Sequence, residues 1–271
     1  MFSVLDMFTI GVGPSSSHTV GPMCAAQAFA SSLEESGAVS RVGRIRVVLY
    51  GSLSLTGLGH GTDRAILAGL EGNVPATVDT DYLLSVRERC AHDGTIHVNG
   101  TNAIAYDDDG DMVFDRWKRL APHPNGMRFQ AFDAQGNIID EQVWYSIGGG
   151  FIRRGRIDDA LISNHEQTPA SSQSPEDSGN DEAAEYGDGV PYPFVSCDGL
   201  IDLCRKHHLS IADVVWANET ARRSPQEVRD RLTRIWNVMS HCIDAGCASA
   251  TPTLPGGLDV PRRAPLMYRR L

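Results

Sequence analysis

Arg44-Ile45-Arg46-Val47-Val48-Leu49-Tyr50 is a β-branched, partly alternating run that stops at Gly51, and it reads as a strand. Working outward, Met23 to Glu35 is Ala-rich with a helical apolar pattern, and Asp63 to Leu70 predicts a second helix. Thr95-Ile96-His97-Val98 followed by Asn99-Gly100 predicts a hairpin, as does Met127 to Asp133 running towards Gly136-Asn137. A strand flanked by helices and followed by hairpins implies an α+β domain.

The pattern breaks at residues 165–189, which hold seven acids, no Lys or Arg and one aromatic. Such a segment buries too little apolar surface to offset its ordering entropy, so it reads as a linker or surface insertion. Beyond it the character turns helical. Ser196-Cys197-Asp198-Gly199 opens an apolar pattern, and Ser210-Ile211-Ala212-Asp213 is a capped start. Ser224-Pro225-Gln226-Glu227 combines a Ser cap, a Pro and a Glu three residues on, predicting a helix to about Ala245-Gly246. Past Thr251 the chain is Pro- and Gly-rich.

Composition removes several function classes. The 271 residues carry a net charge of −10, which argues against a nucleic-acid partner, whose phosphates need a concentrated basic surface. No apolar run reaches the roughly 20 residues that span a bilayer, and the N-terminus lacks a signal-peptide pattern, so a cytoplasmic protein without a membrane partner is expected. Only Lys118 and Lys206 are available among 22 Arg, both in polar surroundings. Neither looks like the Schiff-base lysine that pyridoxal phosphate requires. The six cysteines contain no Cys-x2-Cys pair and read as reduced structural thiols. His207-His208 and His241-Cys242 are adjacent pairs whose side chains diverge on a helix, so neither chelates one ion well. Asp107-Asp108-Asp109-Gly110-Asp111 lacks the later ligands of a calcium loop and reads as a solvated turn between strands.

The segment richest in chemistry is Gly11-Val12-Gly13-Pro14-Ser15-Ser16-Ser17-His18-Thr19-Val20-Gly21-Pro22, just ahead of the Ala-rich helix. Hydroxyls, an imidazole and the unsatisfied amides of a helix start suit a carboxylate or phosphate. The Gly-Lys-Ser/Thr ending of a P-loop is absent. A capped turn bounded by Gly and Pro is the simpler reading of the same residues.

Gly13 to Pro22 closely resembles the opening signature of the bacterial iron–sulfur L-serine dehydratases (L-serine ammonia-lyases). Gly51 to Asp63, His123-Pro124-Asn125-Gly126-Met127, Tyr145 to Phe151, Leu203-Cys204 to Ala217-Asn218-Glu219, and Leu254 to Ala264 match in the same order. The resemblance implies a single-chain arrangement: an α/β sandwich-like β domain over 1–164, an acidic linker over 165–190, and the incomplete start of a mainly helical α domain over 191–271. It implies deamination of L-serine to pyruvate and ammonia on a [4Fe–4S] cluster, without pyridoxal phosphate, in an enzyme that is a homodimer when complete. The cluster cysteines are expected beyond residue 271, so no metal ligand is assigned within this chain, and the isolated chain is expected to carry half a site and no activity.

Within that resemblance Ser15, Ser16, Ser17, His18 and Thr19 would hold the substrate carboxylate. His60, between Gly59 and Gly61, is the first choice for general base, because imidazole titrates near neutrality. His123 is a second catalytic candidate. Asn102, Asn125, Ser146, Gly148 and Gly149 are candidates for the same pocket, the glycines through their backbone amides. A glycine hinge explains Ser146 to Gly150 equally well. The alternative function is a non-catalytic anion-binding or regulatory module of serine metabolism built on the same β domain.

Overall fold

The computed structural model describes residues 3–164, 189–254 and 259–270. They form two compact units: 11–164 with 251–254 and 259–262, and 3–10 with 189–250 and 263–270. The acidic segment lies outside the described residues except for 189 and 190, as do Pro255 to Leu258.

The first unit is a mixed α+β layer structure. A single π-type turn, Ser16–Val20, runs directly into helix α1 (Gly21–Glu35). Strand β1 (Arg44–Tyr50) follows, then α2 (Gly51–His60), α3 (Thr62–Leu70) and α4 (Thr80–Asp93). The Asn99-Gly100 turn joins β2 (Thr95–Val98) to β3 (Asn102–Ala105), with φ of 50° at Asn99 and 76° at Gly100. A one-turn helix, α5 (Asp108–Asp111), precedes β4 (Met112–Asp115) and β5 (Lys118–Leu120). The long hairpin β6 (Gly126–Phe132) and β7 (Ile138–Gly148), then β8 (Phe151–Arg154) and β9 (Leu161–Ser163), complete the unit.

The main sheet runs β2-β3-β1-β6-β7-β8. β1 is antiparallel to β6, while β3 and then β4 lie parallel along its other edge. Period-2 alternation sorts the side chains. Ile45, Val47 and Leu49 join Met127, Phe129 and Ala131 in the large core under the helices. Val48, Tyr50, Leu120, Val143 and Tyr145 form a smaller cluster on the opposite face. α1 and α3 cross so closely that a Cβ at Gly69 would stand 2.3 Å from the Met23 carbonyl oxygen.

Two local readings change. The acidic run expected as a solvated turn is instead tied into the core edge: Asp111 is 1% exposed and pairs with Arg44, and Asp108 pairs with Arg87. Burial raises the Asp111 pKa. The second difference is α2, which the sequence disguises because Gly51, Thr56, Gly57 and Gly59 are weak helix formers. Packing holds it: Leu53 is fully buried, and a Cβ on Gly57 would press within 3.0 Å of the Thr62 hydroxyl.

The second unit holds α6 (Cys197–His207), α7 (Ile211–Thr220), α8 (Pro225–Ala248) and α9 (Ala264–Tyr268). The full capping box forms at Ser210 and Asp213, while the Ser224 side chain accepts from the Glu227 N–H. Glu219 on α7 accepts from Ser3 Oγ and the Val4 N–H, both at 2.8 Å, and so ties the N-terminal residues to the helices. Trp236, Met239 and Ile243 on α8 are exposed. No helix among the described residues is long and apolar enough to cross a membrane.

Candidate functional site

The carboxyl end of β1 and the start of α1 bring the serine-rich segment against α2. Ser15 caps the π-type turn, its Oγ accepting from the His18 N–H at 3.2 Å. Ser15 Oγ and Ser17 Oγ lie 3.3 Å apart, and Ser17 Oγ is 2.9 Å from His18 Nδ1. His18 Nε2 reaches Ser52 Oγ at 3.0 Å across 34 residues of sequence. The result is one continuous chain of hydroxyls and imidazole. Ser52 is the second residue of α2, so it adds a second helix start beside the first.

His60 ends α2, and its ring centroid stands 4.8 Å from that of His18. Two threonines brace the pair crosswise: Thr19 Oγ1 donates to the His60 carbonyl at 2.9 Å, and Thr62 Oγ1 donates to the His18 carbonyl. His60 Nδ1 lies 2.9 Å from the Thr56 carbonyl oxygen. A carbonyl only accepts, so Nδ1 carries the hydrogen and Nε2 of the neutral ring keeps its lone pair. Burial, and after it the neighbouring His60, lowers the His18 pKa below the ordinary imidazole value, against a raising contribution from Ser52.

His123 and Asn125 lie in the loop between β5 and β6, stitched to the same corner. The Ser52 N–H donates to the Pro124 carbonyl at 2.9 Å, and Asn125 Nδ2 donates to the Ser146 carbonyl at 3.2 Å. Gly51 makes this approach possible: its φ is +55°, and a Cβ there would fall 2.3 Å from the Pro124 oxygen. Ser146 at the end of β7 is fully buried, its Oγ has no hydrogen-bond partner among the described residues, and a Cβ on Gly21 would collide with it at 2.1 Å. Gly148, Gly149 and Gly150 all have positive φ and make the tight turn between β7 and β8.

Thus the structure gathers Ser15, Ser17, His18, Thr19 and His60 directly, with Ser16 exposed on the same turn. It brings His123, Asn125 and Ser146 to the flank, with Gly148 and Gly149 just past Ser146. Asn102 is not brought there. It lies towards the opposite end of the sheet, where its amide donates to the Val39 carbonyl at 3.0 Å. Ser52, Thr56 and Thr62 are the residues that sequence reasoning missed. A serine one residue after a strand-ending glycine was the available signal for Ser52.

Metal donors tell a different story. Cys24 lies on α1, Cys90 in the core, Cys197 and Cys204 on α6, and Cys242 and Cys247 on α8. Among the described residues no three His, Cys, Asp or Glu side chains converge on a metal-sized site. A [4Fe–4S] cluster does not fit these donors.

A helix-covered mixed sheet whose central strand ends at a serine- and histidine-lined corner is the architecture that carries the candidate site. The serine dehydratase beta chain model matches residues 3–156, and the chain belongs to that family. It is 41% identical over 269 residues to an L-serine dehydratase of Streptomyces coelicolor, covering 99% of this chain and 54% of that protein. L-serine dehydratase 1 of Escherichia coli is 39% identical over 275 residues, covering 100% of this chain and 54% of the relative. An L-serine dehydratase of Mycobacterium tuberculosis is 38% identical over 270 residues, with 99% and 53% covered. The chain spans about half the length of the curated relatives it matches.

Proposed function

We propose that this chain forms the carboxylate-binding side of an L-serine ammonia-lyase site, acting in the cytoplasm. The observation that carries the reading is the His18–His60 pair, with centroids 4.8 Å apart where the turn before α1 meets the end of α2. The carboxylate is held by the hydroxyls of Ser15, Ser16 and Ser17 and the N–H groups of Ser16 and Ser17 in the first turn, while the Thr19 hydroxyl, committed to the His60 carbonyl, keeps that histidine in place. His60 Nε2, the nitrogen left basic by the Thr56 hydrogen bond, accepts the Cα proton of L-serine. Loss of that proton and of the β-hydroxyl as water leaves aminoacrylate. Its imine form then hydrolyses to pyruvate and ammonia.

The [4Fe–4S] cluster implied by the resemblance requires donors that the described residues do not assemble, so no step above runs through it.

His60→Ala in the holoenzyme is the test. Turnover should fall by about 10²–10⁴-fold, the usual contribution of a positioned base, while L-serine still binds. Unchanged turnover removes His60 from the mechanism. L-serine binding with no turnover in the unsubstituted holoenzyme would mark the domain as a non-catalytic anion-binding module instead.

A further inference from the structure

His123 differs from His60 in one respect that the hydrogen bonds settle. Its Nδ1 accepts from the Asn125 backbone N–H at 3.1 Å. An amide N–H only donates, so Nδ1 holds the lone pair and the hydrogen of the neutral ring sits on Nε2. In His60 the assignment is reversed, with Nδ1 donating to Thr56. Two histidines of one corner therefore offer opposite chemistry through the same ring atom: a lone pair at His60 Nε2, and an N–H at His123 Nε2.

We infer that His123 donates a hydrogen bond through Nε2–H to the substrate carboxylate, and that Asn125 is the positioning residue that locks it in that tautomer. The inference rests on the L-serine site proposed above and deepens it. Asn125 is itself fixed on two sides, its carbonyl accepting from the Ser146 N–H at 3.0 Å and its side-chain amide donating to Ser146 at 3.2 Å. Pro124, between the two residues, is bound to the Ser52 N–H. The loop thus holds a fixed relation to the hydroxyl that contacts His18.

Around the ring stand Tyr145, with centroids 6.1 Å apart, and Arg153, whose guanidinium lies 5.5 Å from the Tyr145 ring centroid. Burial, followed by the Arg153 charge, lowers the His123 pKa below the usual imidazole value. The ring accordingly stays neutral near pH 7, where a neutral donor is what the chemistry calls for. Removal of the Cα proton pushes negative charge into the carboxylate, and a preset N–H there gains strength as the charge grows.

The test uses the 271-residue chain with 15N-labelled histidine and L-serine as the probe. Expected at pH 7.5 is a proton on Nε2 of His123 and on Nδ1 of His60, with the His123 Nε2–H resonance moving on addition of L-serine. His123→Gln, which places an amide nitrogen where Nε2 was, should keep L-serine affinity within about threefold. His123→Asn reaches only the Nδ1 position and should weaken affinity about tenfold or more. An Nδ1-protonated or imidazolium His123, or equal affinities for the two variants, overturns the donor role while leaving the serine site intact. Failure of the unsubstituted chain to bind L-serine overturns the substrate assignment and the donor role with it.

Discussion

The rings of His18 and His60 stand with centroids 4.8 Å apart and planes inclined by 39°, each histidine's carbonyl held by a threonine beside the other. Two imidazoles at this separation disfavour joint protonation, because like charges repel. Desolvation already biases His18 towards the neutral form. At His60 the Thr56 carbonyl takes the Nδ1 hydrogen, which leaves the lone pair of the neutral ring on Nε2.

Ser52→Ala should loosen His18 without unfolding the domain. It removes the 3.0 Å contact to His18 Nε2 from a half-buried position. L-serine affinity should drop about three- to tenfold, the range of one net hydrogen bond. Calorimetric titration and a parallel melting curve check this. A full loss of folding, or affinity unchanged, would detach Ser52 from the site.

Stability should decline on the acid side in two separate windows. His18 and His123 have lowered pKa values when folded, so the unfolded chain takes up protons first, near its ordinary value of about 6.5. Stability from these rings is complete above that value and is lost as pH falls through and below it. A melting-temperature profile between pH 8 and 5 should show the decline, and the His18→Gln His123→Gln double variant should flatten it. A lower window belongs to Glu71. Burial alone would raise its pKa, but hydrogen bonds from Arg89, Tyr82 and the His97 N–H outweigh that and hold it below the usual carboxyl value. Its contribution is lost only at more acid pH.

Glu71→Gln tests that network directly. The carboxylate is 6% exposed, while Arg89 is 33% exposed and partly screened. The expected cost is about 2–3 kcal/mol, below the penalty for breaking a fully buried pair. Urea unfolding should show a lower midpoint with an unchanged slope.

Gly51→Ala should be more harmful than its single methyl suggests. The residue has φ of +55° and a carbonyl oxygen 2.3 Å from where the Cβ would go. Backbone strain alone costs about 1–3 kcal/mol, and the collision also displaces the Pro124–Ser52 contact. Gly246→Ala on α8 is the control. Nothing lies within 4 Å of its Cβ position, and a gain of about 0.4–1 kcal/mol is expected. Equal effects at the two glycines would refute the steric account.

By itself the sequence determined the strands and turns whose signals are local. Arg44–Tyr50, the Asn99-Gly100 hairpin and the β6–β7 pair appear where alternation and turn residues place them. Helices α1 and α3 follow from apolar spacing, and the serine-rich segment stands out through its hydroxyls and imidazole. Only the tertiary structure decided that Gly51–His60 is a helix, since its glycines oppose that state until packing against β1, β4 and the α3 start overrides propensity. It alone decided that Ser52 meets His18 while Asn102 lies elsewhere, because strand order, which no local pattern encodes, sets which loops share an end of the sheet. The tautomers of His60 and His123 belong to the same class. A ring's protonated nitrogen is chosen by the group facing it, and those groups, the Thr56 carbonyl and the Asn125 amide, take their positions only when helix α2 and the His123 loop have formed.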